Sequence, residues 1–254
     1  MSEELRVDVQ DRVMRLTICR EARRNALSKA VIDGIGAGFT RAAADPSIRA
    51  IVVTGAGTQA FCAGADLQGD SFKMSTAEPY LGFANLMRHA RRLNVPLIAR
   101  VNGACMAGGM GLLAMCDLAV ATEAAKFGLP EVKVGVFPSQ VLSVLQHLVG
   151  RRNLAELCIT GEPITSAEAK AMGLINHVAA DLDGKLDWLL ARVLDKSPTG
   201  IRRCLYTMKH IQSMAFEESI AFTESQIVLT SMSDDAREGQ AAFREKRKPE
   251  WPGT

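Results

Sequence analysis

The stretch Asn102-Gly103-Ala104-Cys105-Met106-Ala107-Gly108-Gly109-Met110-Gly111-Leu112-Leu113-Ala114-Met115-Cys116-Asp117 decides how this chain is read. It follows an apolar, β-branched run from Pro96 to Val101 and leads into a helical one, so its order is strand, glycine turn, helix start. Such a turn leaves backbone N–H groups unpaired at the positive end of a helix, where an oxyanion or a phosphate is held. Glycine there lets a ligand approach the backbone, because no side chain stands in the way. A second turn of this character, Phe61-Cys62-Ala63-Gly64-Ala65-Asp66-Leu67, follows the strand-like run from Ala50 to Gly55. One N–H donor from each turn would bracket a single carbonyl oxygen as an oxyanion hole, although either turn alone would also serve tight strand–helix packing.

Working outward, Leu5 to Val9 and Val13 to Ile18 alternate apolar and polar residues around Gln10-Asp11-Arg12, the pattern of a β-hairpin with one buried face. Ser28 caps an expected helix running to about Ala44 and ending before Pro46. Strands are expected at Ala50 to Thr54, Leu97 to Val101 and Leu118 to Ala121, with helical segments between them, which reads as an α/β fold with crossover connections. Gln68 to Pro79 lacks apolar periodicity and reads as a surface loop or connector beside the second turn. Beyond Pro138 the chain reads as almost wholly helical. Thr165 to Glu168 has capping-box spacing, Gly173 suits the C-terminal cap of that helix, and helical spacing recurs over 187–195, 199–212, 215–232 and 234–247.

The chain has 254 residues, 48% hydrophobic and 23% charged, enough for a sizeable core. A net charge of +2, without segregation of sign, argues against a nucleic-acid partner. Only Arg244 to Lys248 is locally basic, as a solvated helix end or a phosphate contact. Cys19, Cys62, Cys105, Cys116, Cys158 and Cys204 show no C-x-x-C spacing, and no signal or transit pattern opens the sequence. The expectation is reduced thiols in the cytoplasm, with no metal site and no membrane span. His89, His147, His177 and His210 stand in unrelated segments without partners at metal or triad spacing.

Glu131 is the leading candidate base. It follows Pro130 in the apolar segment Phe127 to Pro138, and a carboxylate against apolar walls becomes a better proton acceptor near neutral pH. An ion pair with Lys133 is the competing reading. A nicotinamide-binding reading also exists, because Gly109-Met110-Gly111-Leu112-Leu113-Ala114 satisfies a G-x-G-x-x-A pattern with Glu131 about twenty residues later. It leaves the Phe61–Leu67 turn without a role.

Taken in order, Arg24-Asn25-Ala26-Leu27-Ser28, the two glycine turns, Phe127 to Pro138, Gly161 to Gly173 and Glu238 to Arg247 resemble the crotonase superfamily, the enoyl-CoA hydratase/isomerase family. The resemblance covers essentially the whole chain. It implies one crotonase-like domain over 1–254, with repeated ββα units in an α/β core (1–195) and a helical C-terminal extension (196–254) where the family's trimer-forming helices lie. It implies an acyl-CoA thioester as substrate, coenzyme A entering only as part of that substrate, and a homotrimer or dimer of trimers. The N–H groups of Ala63 and Gly108 would stabilise a thioester enolate, worth about 3–4 kcal/mol per donor by analogy with acyl-transfer sites, and Glu131 would move the proton. Backbone contacts to CoA would come from Ala63, Gly64, Ala65, Asp66 and Leu67, with Arg23 and Arg24 near the nucleotide, and Phe243 and Lys246 reaching CoA, often from the neighbouring subunit. Hydratases of the family carry a second glutamate where this chain has Gly111. Hydration of a 2-enoyl-CoA is the leading reading, with Asp70 or Glu78 as substitutes for the lost acid. A one-base double-bond isomerase and a non-catalytic CoA-binding scaffold are the alternatives.

Overall fold

The computed structural model of this chain describes residues 3–66 and 82–254. Strands β1 (Leu5–Gln10) and β2 (Val13–Ile18) form the expected antiparallel hairpin, turning at Asp11 and Arg12, both with positive φ. Ser28 accepts a hydrogen bond from the Val31 N–H and starts helix α1 (Lys29–Ala44), which ends ahead of Pro46. Strand β3 (Ala50–Gly55) then runs parallel to β2. Across a gap in the described residues come α2 (Gly82–Arg92) and a further parallel strand, Leu97–Val101, followed by the parallel strands Leu118–Thr122 and His177–Ala179. All six form one sheet.

The side-chain alternation of these strands explains their near-continuous burial. Ile51 and Val53 of β3 pack with Leu16, Leu97, Ala99 and the α1 residues Val31, Ile35 and Phe39 on one face. The intervening Ala50 and Val52 pack with Val13, Ile98 and Val120 on the other, under Leu186 and Leu190 of the helix Leu182–Leu194. A parallel strand covered on both faces has no polar side, so β3 reads as a block of apolar residues.

A second, smaller sheet differs from the sequence reading. Its first strand is β4 (Ala60–Cys62); in chain order β5 is then Leu97–Val101 of the main sheet and β6 is Ala104–Met106 of the small one. In the same way β7 is Leu118–Thr122 of the main sheet and β8 is Lys126–Gly128 of the small one. Strand β9 (Ile164–Thr165) closes the small sheet antiparallel to β8, giving the order β4-β6-β8-β9, and His177–Ala179 is β10 at the edge of the main sheet. From β3 to β8 each ββ step is one main-sheet strand followed by one small-sheet strand, the repeated ββα unit that the resemblance implied. Thus the stretch read as one glycine turn between a strand and a helix also holds the short strand β6, and helix α3 (Gly108–Ala114) begins only after it.

Past Pro138 the chain is helical apart from β9 and β10: α4 (Ser139–Leu145), α5 (Arg151–Thr160), α6 (Ser166–Ala171), α7 (Leu182–Leu194), α8 (Pro198–Ile211), α9 (Phe216–Ser231) and α10 (Asp234–Glu245). The Thr165–Glu168 capping box is formed, and Gly173 follows α6 at φ +83°. Helix α7 begins before the expected position because Asp181 caps it, its side chain accepting the Gly184 N–H. Helix α8 is tied to the core by Lys209, whose ammonium meets the Asp117 carboxylate at 3.1 Å and the Leu93 carbonyl at 2.7 Å. Among the described residues no helix is long and apolar enough to cross a membrane, and all six cysteines are free thiols.

Candidate active site

Three segments leave the carboxyl ends of three neighbouring parallel strands. Ala63–Asp66 follows β4, Ala107–Gly108 follows β6, and Leu129–Glu131 follows β8. Side-by-side strands of one direction bring these loops together, and in parallel sheets that end is where ligands bind.

The first segment is stitched to Arg24–Leu27 by backbone bonds. Ala63 N–H donates to the Arg24 carbonyl at 3.0 Å, Leu27 N–H to the Gly64 carbonyl at 2.7 Å, and Asp66 N–H to the Leu27 carbonyl at 3.1 Å. Gly64 N–H points to the Cys62 sulfur at 3.5 Å. These bonds alternate along the turn, as they do on a parallel β-bridge, so the N–H of Ala65 points away from Arg24–Leu27 and has no hydrogen bond among the described residues. This corrects the expectation for Ala63: its amide is already spent on Arg24, and the unspent donor of the turn is Ala65.

Gly64 has φ +96°, and a Cβ there would lie 2.7 Å from the Ala107 Cβ and 3.0 Å from the Gly108 N. The two turns therefore touch backbone to backbone, which only glycine permits. Ala107 holds φ +51° and ψ −124°, a conformation that side-chain-bearing residues seldom adopt, and its N–H is anchored on the Gly128 carbonyl at 2.9 Å. That strained residue sets the direction in which α3 begins. As the first residue of α3, Gly108 has an N–H without an intrahelical acceptor. A Cβ on Gly108 would lie 3.5 Å from the Ala65 N, so the two unspent amides open on one small space.

Glu131 lies in a short 3-10 turn, Pro130–Val134, directly after β8. Its Oε2 is buried without a hydrogen-bond partner. Burial pushes its carboxyl above the ordinary glutamate range, against a smaller opposing pull from its own backbone N–H. Lys133, the competing partner, is committed elsewhere, to Glu162 at 2.8 Å on the surface. The neighbourhood of Gly111 is apolar: a Cβ there would lie 3.0 Å from Met87 Cε and Phe83 Cζ and 3.1 Å from Val141 Cγ2.

The other expected contributors are dispersed. Arg24 is exposed at φ +49°, offering its carbonyl to Ala63. Phe243, 86% exposed, and Lys246 lie at the end of α10, a helix packed on α8 and α9. Leu67, Asp70, Glu78 and the 68–79 segment lie outside the described residues. The histidines serve other contacts, His89 against Phe39, His177 against Trp188 and His210 against Tyr206, while His147 is exposed. Arg247 of the basic tail pairs with Glu238, as a helix end does. Burial pushes the Cys62 thiol up to about 12, which removes it as a nucleophile. Gly109 serves packing, since a Cβ there would lie 2.2 Å from the Cys62 carbonyl oxygen; this weakens the dinucleotide reading of the glycine run.

Solved structures share this fold. An enoyl-CoA hydratase of Mycobacterium smegmatis superposes with a TM-score of 0.91 at 34% identity over 98% of this chain and 99% of that one. An enoyl-CoA hydratase of Bacillus anthracis does so with a TM-score of 0.93 at 27% identity over 99% and 100%. The fold is thus the crotonase fold. Among curated relatives, enoyl-CoA hydratase EchA19 of Mycobacterium tuberculosis is 37% identical, covering 92% of this chain and 91% of its own. The 2,3-dehydroadipyl-CoA hydratase of Escherichia coli is 33% identical over 98% and 99%. The enoyl-CoA hydratase/isomerase family model matches residues 8–254, and the chain belongs to that family.

Proposed function

We propose that this protein hydrates a 2-enoyl-CoA through a thioester enolate, with the Ala65 and Gly108 amides holding the enolate oxygen and Glu131 moving the proton. The observation that carries the reading is the meeting of two unspent amides and a carboxylate with one buried, unpartnered oxygen at the ends of adjacent parallel strands. As water adds to C3, the Glu131 carboxylate takes its proton, and the C2=C3 electrons move to the thioester oxygen between the two amides. The enolate then collapses, and C2 takes the proton back from Glu131. All electrons remain in C–H, C–O and O–H bonds, so the step calls for no redox group or metal.

Coenzyme A would meet the Ala63–Asp66 turn through acceptors. The amides of Ala63, Gly64 and Asp66 are spent within the fold, while the carbonyls of Ala63 and Ala65 accept no bond among the described residues. They suit the adenine amino group and the pantetheine amides, with Arg24 available to a phosphate. Phe243 and Lys246, remote on α10, would reach CoA from a neighbouring copy in a homotrimer or dimer of trimers.

The apolar contacts around Gly111 favour a second reading. With no carboxylate at that position to help hold water, Glu131 alone would take a C2 proton from a 3-enoyl-CoA and return it at C4, conjugating the double bond. The test is the conjugated thioester absorbance of crotonyl-CoA, followed with the wild type and with Glu131→Gln. Loss that depends on Glu131 supports hydration. No loss on crotonyl-CoA, with absorbance gained on a 3-enoyl-CoA, supports isomerisation. Tight binding without turnover of either leaves a CoA-binding scaffold.

A further inference from the structure

We infer that Arg20, by clamping Asp66 to the Arg24–Leu27 segment, positions the Ala65 amide for the thioester oxygen; the inference rests on the reading of that amide as an oxyanion donor. The Arg20 side chain is 11% exposed, as is the Asp66 side chain that it meets. Its nitrogens serve three acceptors in three directions. Nη2 donates to Asp66 Oδ2 at 2.6 Å, Nη1 to the Ala26 carbonyl at 2.7 Å, and Nε to Glu4 Oε1 at 2.9 Å. The second Glu4 oxygen accepts from the Ser28 hydroxyl at 2.5 Å, at the start of α1.

The placement gives this fork its meaning. Leu27 holds Ala65 on both sides, its N–H reaching back to Gly64 and its carbonyl receiving Asp66. Arg20 bridges those two segments beside that pairing, gripping Ala26, one residue before Leu27, on one and Asp66, one residue after Ala65, on the other. Rotation of the 64–66 peptides, which would turn the Ala65 N–H away from Gly108, has to break this buried charge-assisted contact. A planar guanidinium can satisfy three acceptors at fixed angles, whereas an ammonium is a single point of charge on a flexible stem. Glu4 lies on the outer side of Arg20 and touches neither turn.

The experiment compares Arg20→Lys, Asp66→Asn and Glu4→Gln by thermal melting, by turnover of crotonyl-CoA or of the 3-enoyl-CoA, whichever the wild type accepts, and by the absorbance of bound cinnamoyl-CoA. Polarisation of a conjugated thioester carbonyl by aimed donors moves its absorption to longer wavelength, a readout that stability alone does not move. The expected result is that Arg20→Lys and Asp66→Asn still bind cinnamoyl-CoA, lose its red shift and fall about 100-fold in kcat with a smaller change in KM. Glu4→Gln should keep both the shift and kcat. If Arg20→Lys does not fold, Asp66→Asn carries the same test. Variants that melt lower but keep the red shift and kcat overturn the clamp while leaving the oxyanion reading intact. A wild type that binds cinnamoyl-CoA without any red shift overturns both.

Discussion

An ionised carboxylate with a buried, unpartnered oxygen costs stability, and Glu131 carries that cost at the place where a proton acceptor is wanted. The sign follows from its raised native pKa. The native state binds the proton more tightly than the unfolded chain, so stability falls as pH rises from the unfolded-state value through the native one. Glu131→Gln removes the charge and keeps the shape. It should therefore raise the Tm near neutral pH, and the gain should vanish at pH values below the ordinary glutamate range; an unchanged or lowered Tm at neutral pH would contradict the burial cost. The same variant should lose about 10²- to 10⁴-fold in turnover. For the wild type, kcat/KM should fall on the acid side with a midpoint above the ordinary glutamate pKa, measurable in a pH series. Glu131 was legible as a candidate, an acidic residue after proline in an apolar segment, but the residues alone left an ion pair with Lys133 equally open; the resemblance tipped the balance, and the structure commits Lys133 to Glu162. Ala65 was not. Which amide of Ala63–Asp66 stays unspent depends on the phase of its bridge to Leu27, a pairing between residues nearly forty apart that local sequence does not encode.

At the scale of elements, the same distinction separates two glycines that look alike in sequence. Gly64 sits at φ +96° with the Ala107 Cβ and the Gly108 N in the way of any side chain, so Gly64→Ala should cost about 2 kcal/mol or more in chemical denaturation. Gly108 needs no positive φ, and a Cβ there would make ordinary contacts of 3.4–3.5 Å with Gly64 and Ala65. Gly108→Ala should fold nearly as well as the wild type and still lose about 10²- to 10³-fold in kcat, because its methyl occupies the space that the two amides face. Equal stability losses for the two variants would contradict this assignment. The larger elements were readable because they are periodic, capped or continuously apolar over five or six residues: the β1–β2 hairpin, α1 with its Ser28 cap, the apolar strands at 50, 97 and 118, and the Thr165 capping box. The small sheet was not, because strands of two or three residues are shorter than the alternation that would reveal them. Strand β10 escaped for the same reason, sitting between helices with its three side chains only partly buried.

Over the whole molecule, the described C-terminal helices do not bury their apolar surface within one chain. Gln226 is the one buried residue of α9, while Phe216, Ile227, Val228, Leu229 and Met232 on or beside it are exposed, with Met208 of α8 and Phe243 of α10. Three consecutive apolar residues at 227–229 face three directions around the helix, so packing on a single neighbour would leave some of them in water. Exposed apolar area of this extent is ordinarily covered by another protein surface, and a second copy supplies it without any further partner. The protein should sediment as a trimer of its 27.4 kDa chain or as a pair of trimers. Paired substitutions Ile227→Lys and Leu229→Glu should shift it towards the monomer at micromolar concentration. If Phe243 and Lys246 act on the CoA of a neighbouring copy, the dissociated variant should raise KM for the CoA substrate about tenfold, the equivalent of about 1.4 kcal/mol of binding, while Glu131-dependent kcat falls much less. A monomeric variant with unchanged KM would leave α10 with no part in the site. A wild type that sediments as a monomer would mean that the apolar faces of α8, α9 and α10 are covered by something other than this chain.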